Sequence, residues 1–269
     1  MMYLKYPGPA FNVSFHNHSN WSDGNGEIEA VCRKGKEMGL KVLGLSDHYV
    51  VPPGEGYGSE TWSMELSRLD EYIETLSRIR KELEDESFSL KIGLEVDFFF
   101  ENIEEVLKKL SSYPLDYLIG SVHYAGKFPI DHSIEDWVDL TSEEKHALCE
   151  EYYKKLAAAA LHKEFLFIGH LDLPKKFGVI DNAKYFPHAM KVLDNVAKSG
   201  IGIELNTAGW HKECNEQYPS LSILKEANKR KIPVIVNADA HDPAHLKRDF
   251  ERASLILAEA SYPAGNREE

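Results

Sequence analysis

Cysteine is scarce in this chain: Cys32, Cys149 and Cys214 lie far apart, with no CxxC spacing among them. Such a set builds neither a disulfide framework nor a thiolate zinc site, and a reducing cytoplasm is the expected compartment. Long apolar runs are also missing. None approaches the roughly 18 residues of a membrane span, and the opening MMYLKYPGPAFNV has no signal-peptide core, so no membrane association is expected. Basic charge is in deficit, with 31 Lys and Arg against 44 Asp and Glu and a net charge of −13. Broad phosphate-backbone binding recruits net-basic surfaces, so nucleic acid is not an expected partner, although a local cationic pocket remains compatible with this charge. The nucleotide loops GxGxxG and GxxxxGK[ST] and the serine elbow GxSxG are absent, which removes the usual signatures of dinucleotide, P-loop and serine-hydrolase chemistry. No low-complexity linker divides the chain, and residues 1–269 read as a single domain.

What is present is a globular composition, 43% hydrophobic and 28% charged, at a length usual for an α/β barrel. Short apolar runs recur: FNVSF (11–15), KVLGL (41–45), LKIGL (90–94), DYLIGSV (116–122), FLFIG (165–169), IGIEL (201–205) and IPVIV (232–236). Amphipathic or charge-laced stretches follow them at 27–38, 63–86, 102–112, 142–163, 184–199, 219–230 and 243–260. Nearly continuous apolar strands indicate burial on both faces, as in a parallel sheet covered by crossover helices. Seven strand–helix rounds predict a distorted TIM-like (βα)7 barrel.

Polar residues cluster directly after these runs. His16, His18 and Asp23 follow the first, Asp47 and His48 the second, Glu95 the third and His123 the fourth. His170 and Asp172 follow the fifth, Asn206 the sixth, and Asp239 and His241 the seventh. In a parallel barrel all of these face the rim where active sites are built. Singly, each has an ordinary reading as a cap, a turn or a satisfied histidine. Together His16, His18, Asp23, His48, Glu95, His123, His170, Asp239 and His241 form a nitrogen and carboxylate ligand set too large for one ion, which predicts two to three divalent ions of Zn, Fe or Mn. No cysteine stands at a strand end, so the expected nucleophile is a metal-bound hydroxide and the expected reaction is metal-assisted hydrolysis of a small phosphate ester. His146, His162, His188 and His245 read as surface or packing residues.

Beyond spacing, the segments HNHSNWSDG, GLSDHY, GLEVDF, GSVHY, IGHLDLPKKFG and NADAH resemble the polymerase and histidinol phosphatase (PHP) superfamily. SVHYAGKFPIDH, IGHLDLPKKFG and ELNTAGWHKECNEQYPS resemble its histidinol-phosphatase branch. The resemblance implies a trinuclear metal site hydrolysing L-histidinol phosphate in histidine biosynthesis. It places His16, His18, Glu95 and Asp239 on one ion, Asp23, His48 and a bridging Glu95 on a second, and His123, His170 and His241 on a third. Asp47, His48, Glu95, Asp239 and His241 are then the catalytic set, with Asp47 orienting a ligand.

The chain departs from that branch after NTAG, where Trp210-His211-Lys212 replaces a Leu-Arg-basic segment, and Ser46 stands where Thr is more usual. Lys175, Lys176, His211 and Lys212, with Asp131 and His132, are the candidate substrate contacts. The Gly- and Pro-rich stretch 52–62 is expected to be a mobile loop over the site. Two other functions fit the same motifs: a PHP enzyme acting on another phosphate ester or nucleotide, and a noncatalytic metal-binding PHP domain. The second is disfavoured because every ligand position is filled. The sequence sets no oligomeric state.

Overall fold

The computed structural model describes residues 11–262, and the ends of the single domain read from the sequence lie outside them. Seven parallel strands run in sequential order: β1 (Val13–Ser14), β2 (Val42–Leu45), β3 (Ser89–Asp97), β4 (Tyr117–Ser121), β5 (Phe167–Ile168), β6 (Gly202–Asn206) and β7 (Val234–Asn237). Each is followed by its helix: α1 (Ile28–Glu37), α2 (Leu69–Leu83), α3 (Ile103–Leu110), α4 (Ser142–Ala159), α5 (Phe186–Ser199), α6 (Leu221–Lys229) and α7 (Phe250–Glu259). The ring is nearly closed by a single parallel bridge, Asn17 to Ala240, just beyond β1 and β7. The expected barrel is the observed one.

The helices form where apolar residues recur on one face. In α1 the buried residues Ile28, Val31, Cys32 and Gly35 follow the three- and four-residue spacing of a helix stripe. Thr141 and Glu144 form a reciprocal capping box that starts α4, and Gly200, at φ 78°, ends α5.

Strand alternation separates two cores. Leu90, Ile92, Leu94 and Val96 of β3 join Ile203 and Leu205 of β6 and Val234 and Val236 of β7 beneath the helices. Their sequence neighbours therefore point into the barrel. Its lower interior is apolar, filled by Val13, Phe15, Val42, Tyr117, Ile119, Leu166, Phe167 and Ile235. Tyr117 crosses this plug and donates to the Phe15 carbonyl at 2.5 Å. Gly44 and Gly93 make room for it: a Cβ on either would come within 2.2 and 2.3 Å of the ring or its hydroxyl.

Three differences from the sequence reading matter for function. β3 continues to Asp97, so Glu95 lies within the strand rather than after it. A two-residue strand, His48–Tyr49, pairs with β3 in a register that sets His48 beside Glu95. α2 and α7 start later than expected, because residues 63–64 fold back onto the His48 carbonyl and residues 243–249 wrap the rim in turns that begin with the Asp242-capped segment Pro243–His245.

Candidate metal centre and active-site cavity

The upper half of the barrel interior is polar for the same reason that the lower half is apolar. The parity that buries Gly93 also turns Glu95 and Asp97 inward, and the parity of Gly202 turns Glu204 and Asn206 inward. Buried there, Glu204 accepts from the His170 backbone N–H at 2.8 Å, Asn206 Nδ2 at 2.9 Å and Asn237 Nδ2 at 2.9 Å. Its Oε2 lies 3.0 Å from His16 Nδ1. A carboxylate only accepts, so His16 carries a proton on Nδ1 and turns Nε2 to the cavity, the nitrogen left for a cation. Asp97 does the same for His123, accepting from its backbone N–H at 2.9 Å and from Nδ1 at 3.0 Å.

Glu95 is the centre of the constellation. Its Oε1 faces His170 Nε2 at 2.9 Å and His123 Nε2 at 3.6 Å, while Oε2 faces His48 Nδ1 at 2.9 Å, His16 Nε2 at 3.0 Å and His18 Nε2 at 3.5 Å. Asp239 Oδ1 lies 3.2 Å from His18 Nε2 and 3.4 Å from His16 Nε2. Asp23 reaches His241 Nε2 at 3.1 Å and His48 Nε2 at 3.6 Å. The His18 ring is stacked between those of His48 and His241, with centroids 4.3 and 4.4 Å away. All nine sequence-predicted ligands thus converge, and each falls in at least one group whose donor atoms lie within 4.8 Å of one another.

The donors fit divalent cations. His16 Nε2, His48 Nδ1 and Glu95 Oε2 are buried at close range without the alignment of a hydrogen bond, and the buried His18 Nδ1 and His170 Nδ1 make none, a costly arrangement unless a cation satisfies it. Without cations the carboxylates draw protons onto the rings. Burial opposes a charge on His16, yet Asp239, Glu95 and Glu204 together hold it well above its ordinary value. Burial also opposes charge on His123, but Asp97 and Glu95 raise it to about 10. His241, likewise buried, is raised to about 9 by Asp23 and Asp239. His18 goes the other way, to about 4, because burial and the neighbouring His48 and His241 disfavour its charge. Glu95 and Asp239 are held well below the carboxylate range by those histidines despite their burial.

The structure corrects several assignments. His241 groups with His18, Asp23 and His48, not with His123 and His170, since the turn after β7 carries it toward the Asp23 loop. Asp47 touches no ligand. It points away from its neighbour His48 and accepts from Ser19 N at 2.7 Å, Ser19 Oγ at 2.8 Å and Ser22 Oγ at 2.7 Å, so it fixes the loop that carries Asp23.

A cavity of about 870 Å³ opens above the ligands, and Lys176, Lys212, Asp131 and His132 line it. Lys175 does not. It is buried against Asp172 at 2.9 Å, Glu216 at 2.7 Å and the Gln217 carbonyl at 2.7 Å. His211 also lies off the cavity wall and is taken up by Asp249 at 2.6 Å. Asp172 is buried with Lys175 and accepts from Asn182 and the Ser220 N–H. His245, expected to be a surface or packing residue, lines the cavity together with Arg248.

Residues of the 52–62 stretch form one wall. Tyr57, Gly58, Thr61 and Trp62 line the cavity, the Tyr57 carbonyl accepts from Tyr124 Oη at 2.6 Å, and Trp62 stands edge-on to His48 at 4.8 Å. The sequence reading missed Glu204 and Asp97. The available signal was a carboxylate at an inward position of an otherwise apolar strand.

A parallel barrel with clustered nitrogen and carboxylate donors at the C-terminal ends of its strands defines a barrel protein with a candidate metal site. Residues 14–208 match the PHP domain family, and the chain belongs to that family. A Deinococcus radiodurans protein named "Probable histidinol-phosphatase" is 35% identical over 217 residues, covering 81% of each chain. The histidinol-phosphatase of Bacillus subtilis is 24% identical, covering 84% of this chain and 91% of its own. The same fold occurs in the crystal structure of Lactococcus lactis histidinol phosphate phosphatase complexed with Zn, L-histidinol and phosphate, with a TM-score of 0.77 at 20% identity over 94% of this chain and 95% of that one. Among the described residues no helix is long and apolar enough to cross a membrane.

Proposed function

We propose that this chain is a metal-dependent phosphomonoesterase that hydrolyses L-histidinol phosphate to L-histidinol and phosphate. The carrying observation is Glu95, whose two oxygens face different histidines, His123 and His170 on one side and His16, His18 and His48 on the other, from the middle of a nine-residue cluster. The relatives described above supply the substrate. The donor chemistry, nitrogen and carboxylate oxygen without thiolate, suits Zn, Fe or Mn. His16, His18, Glu95 and Asp239 would hold one ion, Glu95, His123 and His170 a second, and Asp23, His48 and His241 a third, so that Glu95 serves two sites.

Divalent cations, when bound, supply the charge neutralisation and electrophilic assistance that a phosphate monoester requires. The protein's part is orientation and recognition. Glu204 and Asp97 fix the tautomers of His16 and His123, and Asp47 holds the Asp23 loop. Lys176, its ammonium 3.1 Å from Asp131 Oδ2, and the exposed Lys212 meet substrate charge on the cavity wall. His132, hydrogen-bonded to Asp136 at 2.8 Å, and Asp131 face the leaving group. Trp62 and Tyr57 cover the donors on the opposite side and limit water access.

The test is phosphate release by metal-loaded protein from L-histidinol phosphate and from a panel of sugar, nucleotide and amino-alcohol phosphates. L-Histidinol phosphate should have the highest kcat/KM. Turnover of other esters with none of L-histidinol phosphate would replace this assignment with a general phosphoesterase.

A further inference from the structure

Arg248 lies in the rim segment between β7 and α7 and lines the cavity. Its backbone is pinned: the carbonyl accepts from Thr207 Oγ1 at 2.8 Å and the N–H donates to the His245 carbonyl at 2.9 Å. The side chain is not neutralised. Among the described residues, Arg33, Arg68, Arg78, Arg80 and Arg230 each pair with a carboxylate. Arg252 stacks on Trp210 at 4.2 Å. Arg248 has no carboxylate within ion-pair distance; its Nη1 lies 3.5 Å from His245 Nδ1, and its Nε is buried with no partner.

A partly buried guanidinium with an orphaned donor is costly unless an anion completes it. Nearby carboxylates are already engaged: Asp249 by His211, Asp242 by the Ala244 N–H, and Asp239 by His18 and Asn206. The other two lysine or arginine cations on the wall are point donors, and one of them, Lys176, is tied to Asp131. Arg248 alone presents a planar fork, the shape that matches two oxygens of a phosphate.

We propose that Arg248 is the anion fork of this cavity, gripping non-bridging oxygens of the substrate phosphate and making a phosphate monoester the preferred substrate class. This rests on the phosphoesterase reading above and names a specificity-determining residue for it. In the hydrolysis, water's oxygen bonds to phosphorus, the ester P–O bond breaks and the leaving alkoxide takes a proton that originates from water. Arg248 neither gives nor accepts one.

The experiment uses the metal-loaded enzyme and inorganic phosphate as a competitive inhibitor of p-nitrophenyl phosphate hydrolysis. Arg248→Gln should raise the phosphate inhibition constant about 10- to 100-fold, with metal content and circular dichroism unchanged. Arg248→Lys, which keeps charge but loses the fork, should recover only part of that affinity. Arg252→Gln should leave it at the wild-type value. Equal phosphate inhibition of wild type and Arg248→Gln overturns the proposal, as does wild-type enzyme that phosphate does not inhibit. If Arg248→Gln does not fold, Arg248→Lys decides, and an unchanged inhibition constant there overturns it. Should the wild type ignore L-histidinol phosphate while phosphate inhibition still depends on Arg248, the fork stands and only the histidinol assignment falls.

Discussion

Glu204 Oε2 lies 3.0 Å from His16 Nδ1, with both side chains fully buried. That contact links β6 to the donor cluster, because it decides which ring nitrogen of His16 faces Glu95. It also anchors the rim, since the same carboxylate accepts from the His170 backbone and from Asn206 and Asn237. An outer-sphere carboxylate of this kind raises the basicity of the histidine it holds.

Glu204→Gln should therefore weaken metal binding by about 10- to 100-fold while the barrel still folds. Equilibrium dialysis against metal buffers, with circular dichroism as the folding control, measures both. Wild-type affinity in a folded Glu204→Gln protein would remove Glu204 from the metal centre.

Metal removal has a pH signature. In the cation-free protein His123 and His241 titrate at about 10 and about 9, so near pH 7 cation binding must expel protons from them. Calorimetry in buffers of differing ionisation enthalpy should record proton release and affinity that falls with falling pH. The stability these raised values give the cation-free protein is fully present below the free-histidine value of about 6.5 and is lost as pH rises through 9 to 10. Its thermal midpoint should accordingly fall over that range. Strong chelation, or Glu95→Ala, should lower hydrolysis by orders of magnitude.

The adjacent lysines should behave differently. Lys175→Ala leaves Asp172 buried without its cation and should destabilise the protein by about 3–5 kcal/mol, read from denaturant unfolding, with little change in KM. Lys176→Ala opens the cavity wall and should raise KM with stability nearly unchanged. The opposite pattern would reverse the two roles.

The Trp62 wall makes a kinetic prediction. Trp62→Ala removes the ring that stands edge-on to His48 and His123, at 4.8 and 5.5 Å, and should raise KM for L-histidinol phosphate severalfold without loss of metal. Shortening residues 54–58 should do likewise, and unchanged kinetics in both variants would leave this stretch a connection only.

The sequence by itself determined the barrel and singled out the nine residues that converge at its rim, because strand runs, helix periodicity and the polar residues next to each run are local features. Parallel topology then requires His16, His123 and Asp239 to meet at one rim. Which donors group together was a tertiary matter: the turn after β7 swings His241 toward Asp23, and the register of His48 against Glu95 is invisible in one dimension. Strand parity turned Glu204 and Asp97 inward, a consequence that depends on where β6 and β3 begin and end. The cavity wall was least legible. Lys175 and Lys176 are neighbours in sequence, yet one is buried against Asp172 and Glu216 and the other faces the cavity, while Arg248 reaches that wall through a turn whose path is fixed by contacts with Thr207 and His245. Side-chain direction in such turns follows long-range hydrogen bonds, and these exist only once the barrel has closed.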